Sequence, residues 1–294
     1  MKFSNLTAAL GAASLALAAT SLPAHAAPWT YGFDAFNDGV TNGVAGDGGA
    51  FEFYGMAVTE DEDNIFLALN SNLSLSGYNS SGADDGHIGW GDLFLNFSGK
   101  DTATALADGD LFALHIAGTD SDSSAQVNGL YQVGSTDGVA SSNSGFDTLA
   151  AAEARVDSYG YDYSVGDLDD SYFDKNVSHQ NVMSSGTKVG DIAYLDAAAL
   201  SAKGLDFGSQ GAIGSETFGF SFSKADLNLP EEYADNDMIA WIFAECNNDG
   251  MGIMADVAVI SDETPDPEDV PEPATALGLL AVAGGAMGLR RRRA

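Results

Sequence analysis

Cysteine is almost missing from this 294-residue chain: Cys246 is the only one. No intramolecular disulfide can form, so the fold must hold by packing alone. An isolated cysteine of this kind reads as a small buried hydrophobe rather than a reactive thiol. Histidine is nearly as scarce, with four residues: His25, His87, His115 and His179. There is no HExxH and no pair at zinc-ligand spacing. No G-x-S-x-G marks a hydrolase nucleophile. Ser185-Gly186-Thr187-Lys188 fits S-x-x-K, but the companion motifs of that chemistry are missing. The glycine-rich stretch Gly43 to Gly49 lacks the Lys-Ser/Thr of a phosphate loop and precedes a strand pattern, so it reads as a loop. Catalysis is therefore not expected.

Basic residues are the third shortage. Eleven Lys and Arg stand against 43 Asp and Glu, a net charge of −32. A surface of that sign repels phosphates and anionic headgroups, which excludes DNA or RNA as a partner. The charge serves solubility outside the cell, or it captures divalent cations. With so many acids, carboxylate pairs are uninformative. A glycan hydrolase needs two of them about 5–9.5 Å apart, and no pair is nominated.

What the chain does have is two well-defined ends. At the N-terminus Lys2 precedes a small apolar run through Leu15-Ala16-Leu17, followed by Pro23 and Ala24-His25-Ala26. This is a signal peptide over residues 1–26, with an A-x-A cleavage site at Ala24 and Ala26. At the C-terminus Pro271-Glu272-Pro273 comes first. Sixteen uncharged residues, Ala274 to Leu289, follow, and Arg290-Arg291-Arg292-Arg293 closes the tail. Prolines hold an accessible extended stretch, the apolar run is near the length of a membrane span, and the arginines stop transfer on the cytoplasmic side. Lys2 and these arginines are five of the 11 basic residues. Residues 27–273 keep six against 43 acids, a net charge of about −37.

The tripartite tail resembles the PEP-CTERM sorting signal of Gram-negative bacteria and cyanobacteria. The resemblance implies that an exosortase, a membrane-embedded cysteine protease, reads Pro271, Glu272 and Pro273 and removes the helix with Arg290 to Arg293. It implies an exported protein at the cell surface or in the extracellular matrix. Its partners would be the exosortase and the export machinery, and it would touch the membrane only through the tail before processing. Three body segments are similar to a group of cyanobacterial exosortase-dependent surface proteins with no assigned chemistry: Tyr31 to Gly39, Ala83 to Leu93, and Glu245-Cys246-Asn247-Asn248-Asp249.

The body, residues 27–260, is rich in turn formers between short apolar runs. The expected class is all-β: a single antiparallel β-sandwich, jelly-roll-like, with one or two short helices. Strands are expected at 51–58, 65–70, 92–98, 111–117, 130–133 and 217–223. The last alternates, with Phe218, Phe220 and Phe222 on one face. Runs 238–244 and 253–260 around Asn247-Asn248-Asp249-Gly250 read as a hairpin in a sheet centre. Helices are expected at 191–203, capped by Asp191, and at 148–156. Residues 261–270, acidic with Pro265 and Pro267, form a linker to the tail at 271–294.

Asp167-Leu168-Asp169 begins like an EF-hand loop, but Tyr172 and Ser178 stand where Gly and Glu are required. Three irregular groups have the oxygen-only chemistry that suits Ca²⁺: Asp84, Asp85 and Asp92; Asp34, Asn37 and Asp38; and Asn247, Asn248 and Asp249. Asx turns compete at each. The first group is the nominated metal set, because Trp90 between its members offers an aromatic platform for a sugar. The main expectation is a structural or interaction protein, and the alternative is a Ca²⁺-dependent module for exopolysaccharide.

Overall fold

The computed structural model describes residues 28–46, 48–116, 122–123, 127–169 and 171–258. The signal peptide with Ala24 and Ala26, the linker, the Pro271-Glu272-Pro273 motif and the terminal arginines lie outside the described residues. Among the described residues, no helix is long and apolar enough to cross a membrane.

The chain is mostly antiparallel β, with 37% strand against 14% helix. In chain order the elements are β1 (Thr30–Phe33), β2 (Val40–Thr41), β3 (Val44–Ala45), β4 (Phe53–Glu60), β5 (Asn64–Ser71), β6 (Tyr78–Asn79), β7 (His87–Ile88) and β8 (Leu93–Asn96). Then follow α1 (Thr102–Asp108), β9 (Leu111–His115), β10 (Gly129–Asp137), α2 (Leu149–Asp157), β11 (Val182–Gly190), β12 (Ile192–Asp196) and α3 (Ala197–Ala202). The last strands are β13 (Glu216–Ser223), β14 (Met238–Phe243) and β15 (Gly250–Ala255).

Two sheets carry the fold. One has the order β1-β4-β5-β13-β12 and the other β11-β10-β9-β8-β14-β15. Four consecutive strands, β8 to β11, lie side by side, and β14 returns beside β8 after a long connection. That replaces the expected jelly-roll connectivity, which deals successive strands to alternate sheets, by a meander with a Greek-key return. The sheets share one core. Phe53, Met56, Leu67, Phe218, Phe220 and Phe222 meet Leu95, Leu114, Met238, Ala240 and Ile242.

Both sheets also have covered outer faces. On the six-stranded sheet Phe94, Tyr131, Ile239, Trp241 and Phe243 pack under Ala105 of α1 and Val165, Leu168 and Phe173. On the other sheet Tyr54, Ala57 and Ala68 pack under Leu200, Leu205 and Phe207, at and beyond α3. This double cover explains why 238–244 is continuously apolar. Alternate residues of β14 serve the inner core and the outer one. The hairpin is nevertheless not central, because β15 ends the strand order. Its flank is covered instead, with Gly252 accepting the Asp167 N–H and Asp167 accepting that of Met254.

The expected helix at 191–203 is shortened. Residues 192–196 pair with β13 as β12, and Asp196, not Asp191, caps α3 through the Ala199 N–H. The helix near 148–156 forms with Thr148 as its cap. Cys246 is fully buried, and burial pushes its thiol up to about 12.

Trp90 is not a platform. It is 0% exposed, stacked on Phe53 at 4.6 Å and edge-on to Phe218 at 5.4 Å. Its indole N–H donates to the Ser74 carbonyl at 3.0 Å. The glycines around it reflect tight packing, since a Cβ on Gly91 would run into the Asn181 carbonyl.

Two expected outcomes follow from this packing. Trp90→Ala should lower the free energy of unfolding by about 3–5 kcal/mol in urea titration, and a loss under about 1 kcal/mol would place the ring at the surface. His179 is buried against Phe243, ring centroids 4.2 Å apart, and burial holds its imidazole down at about 3. The folded state therefore binds fewer protons than the unfolded one, so stability present above about pH 6.5 is lost as pH falls toward 3. His179→Phe should remove that loss and gain on the wild type by up to about 1.4 kcal/mol per pH unit below 6.5. Parallel curves for the two proteins would mean that the wild-type ring is solvated.

Candidate functional site: a buried carboxylate cluster

The nominated set does not assemble. Asp84 and Asp85 are exposed in the β6–β7 connection, and Asp85 accepts the His87 N–H at 2.9 Å, an Asx turn. Asp92 is 1% exposed and fully engaged: it meets His115 Nδ1 at 2.8 Å and accepts the Met183 N–H at 2.5 Å. Asp92 is a structural clamp between β9 and β11, remote in role from its loop neighbours.

Instead, the fold merges the other two groups. Asp34 lies just past β1, Asp38 four residues later in the same turn, and Asp249 at the end of the β14–β15 connection. They are 5%, 0% and 0% exposed. One oxygen from each lies within 4.8 Å of the others. Among the described residues this is the one group of three or more potential metal-ligating side chains so placed.

Local chemistry shows why the chain folds this way. Asn37 adopts φ 81°, a left-handed conformation Asn tolerates, and lets the turn reverse. Gly39 must be glycine, because a Cβ there would meet the Phe51 and Glu52 backbone at 2.6 Å. Glu52, fully buried, clamps the turn by accepting the Asn37 N–H at 2.5 Å and the Gly39 N–H at 3.0 Å. Asp249 accepts the Phe53 N–H at 2.7 Å and the Gly250 N–H at 2.8 Å. The segment after α2 supplies the third wall. Asp34 accepts from Ser164 Oγ at 2.9 Å and the Gly166 N–H at 2.8 Å, and Asp38 accepts the Ser164 N–H at 3.1 Å. Gly166 has φ +62°, and a Cβ on it would run into Gly252.

Each of these carboxylates is thus held by backbone donors, yet two oxygens are left over. Asp34 Oδ2 and Asp38 Oδ1 are buried without a hydrogen-bond partner, as is the hydroxyl of Tyr163. Tyr163 senses the same acids: burial first, then the charges of Asp249, Asp38 and Asp34, raise its phenol well above the ordinary value.

Among the described residues, no lysine or arginine forms an ion pair with these carboxylates, although Lys175 lies over the Tyr163 ring. Lys100, Lys175, Lys188 and Lys224 pair with Asp108 and Asp110, Glu153, Asp191 and Glu60 respectively. Lys203 lies over the Phe66 ring, and Arg155 is exposed. The consequence is electrostatic. Burial pushes Asp34 up to about 7, although the Gly166 N–H, the Ser164 hydroxyl and a hydrogen bond with the Asp249 carboxyl pull it back. Burial, then the Asp34 charge, pushes Asp38 up to about 10. Asp249 is raised well above the carboxylate range by burial and then by Asp38. Like charges this close in a dry site cannot all stay ionised. At neutral pH the cluster either keeps protons or takes a cation.

Glu52, Ser164 and Gly166 were not nominated from the sequence. A charged residue between Phe51 and Phe53 is a legible signal of a buried acid, whereas nothing local marks Ser164 or Gly166. An apolar hollow of about 430 Å³ lies elsewhere, lined by Phe94, Trp241, Phe173 and His179 on the outer face of the six-stranded sheet.

Neither a curated protein nor a solved structure matches the chain. Residues 269–293 match the PEP-CTERM protein-sorting motif. The chain therefore carries at its C-terminus the signal by which exported proteins are anchored and then processed by an exosortase.

Proposed function

We propose that this chain is a structural or interaction module of the cell surface or extracellular matrix, delivered there by export and exosortase sorting. The sorting motif at residues 269–293 carries the reading. It stands at the far end of a strongly acidic antiparallel β body. The whole chain's net charge of −32 favours solubility and repels anionic partners. Many of its acids are exposed, as Asp84 and Asp85 are, and others are locked into backbone clamps, as Asp92 and Glu52 are. Neither arrangement supplies a general acid facing a base across a substrate cleft.

The exopolysaccharide-binding reading loses its nominated residue, because Trp90 is core. Trp241 does not replace it, at 2% exposed beneath Tyr172 and Phe173.

The decisive measurement is the intact mass of the protein recovered from outside the producing cell. The expected species starts at Ala27 and ends within Pro271 to Pro273, with any covalent addition at the new terminus. A mass extending to Ala294 would refute processing and make the apolar tail a permanent anchor.

A further inference from the structure

We propose that Asp34, Asp38 and Asp249, backed by Glu52, form a buried site for one divalent cation, and that the cation is Ca²⁺. Proximity of acids alone would not carry this. The independent observation is that Asp34 Oδ2 and Asp38 Oδ1 are buried without a hydrogen-bond donor, Asp34 facing the carboxylate of Asp249, while the other oxygen of each is tied down by Ser164 and Gly166. A buried polar atom without a partner costs about 1–3 kcal/mol, more when charged, so native folds leave few of them. Two in one group, with no lysine or arginine among the described residues in ion pairs with them, is the pattern of ligand atoms waiting for an ion.

The donor set selects the ion. Every candidate ligand is a carboxylate oxygen, which suits hard cations and excludes thiol- or imidazole-preferring metals. The three oxygens lie within 4.8 Å of one another, close enough to share one ion. Mg²⁺ dehydrates reluctantly and keeps several waters, whereas Ca²⁺ accepts a flexible shell made largely of protein oxygens, so a buried corner of this kind favours Ca²⁺. Carbonyls and water would complete the shell, as Ca²⁺ takes 6–8 oxygens.

The site is placed to act as a staple. It joins the turn after β1, the segment 164–166 and the β14–β15 connection, three stretches far apart in sequence. Ca²⁺ there would do what a disulfide does in other exported domains, in a chain whose lone cysteine cannot. The inference does not rest on exosortase processing, since an uncut tail would leave the site unchanged.

The test uses the purified full-length chain, stripped with EGTA and titrated with CaCl₂ or MgCl₂ at pH 7.5. The expected results are one Ca²⁺ bound per chain by equilibrium dialysis and a melting temperature at least about 5 °C higher at 1 mM Ca²⁺ than in EGTA. Mg²⁺ should give a markedly smaller rise. Asp38→Asn, which keeps an acceptor for Ser164, should abolish the calcium-dependent rise while melting no lower than wild type in EGTA, because the amide replaces an acid that is already neutral when no ion is bound. The double change Asp84→Asn with Asp85→Asn should keep the full rise. An unchanged melting temperature with no bound Ca²⁺, a rise retained by Asp38→Asn, or equal effects of Mg²⁺ and Ca²⁺ would each overturn the proposal. The first would leave the acids holding protons, and the last two would reduce the effect to counter-ions on an acidic surface.

Discussion

A chain segment with six basic residues and 43 acids between residues 27 and 273 cannot neutralise itself, and most of its architecture is a way of living with that imbalance. The acids that stay in water cost little. Those drawn inside need donors, and here the donors are mostly backbone N–H groups: Met183 for Asp92, Asn37 and Gly39 for Glu52, Phe53 and Gly250 for Asp249. Amide donors stabilise a carboxylate without a counter-charge and fix the local chain path at the same time. The buried acids therefore double as architectural clamps, and they stand where one part of the chain must be tied to another. Glu245 follows the same rule, accepting the Gly89 N–H at 2.5 Å to fasten the β14–β15 connection to the loop before β8. Lysine is spent where amides cannot reach, as with Lys224 inside the fold on Glu60 at 2.6 Å.

The same constraint separates what could be read in the sequence from what could not. Strand positions were legible because their signal is local. Phe218, Phe220 and Phe222 alternate on a strand that indeed turns them inward, and Thr148 caps its helix through the Ala151 N–H. Edge strands were less legible. Residues 182–190 and 192–196 carry Ser, Gly, Thr and Ala, and their β structure comes from pairing with β10 and β13 rather than from composition. Trp90 misled for a related reason. Glycine neighbours look like an exposed loop in one dimension, yet here they let the Asn181 backbone approach a packed ring. Propensity has no means of distinguishing these two uses of glycine.

The candidate site was half legible. Asp34 with Asp38, and Asp249 beside two asparagines, each stand out as oxygen-rich turns. Their meeting depends on β15 lying along β1 and β4, a long-range consequence of sheet packing that no local pattern encodes. What tips the comparison between the loops is burial. Asp84 and Asp85 are richer in neighbouring glycine but remain in water, where an Asx turn satisfies them. Asp34 and Asp38 are roofed by Tyr163 and the 164–166 segment, where an unsatisfied oxygen is costly.

Burial also relates the body to its address. A cluster of ionised acids that only a cation or protons can neutralise makes the folded state depend on what the surroundings supply. In the cytoplasm free calcium is scarce, so a nascent chain would have to close this corner around protonated acids at neutral pH. Outside the cell, where extracellular modules fill sites as weak as about 10⁻⁴–10⁻³ M, the ion of the proposed site would be at hand and closure would become favourable. The tail directs sorting, and the proposed site would tie closure of this corner to the ions met after it.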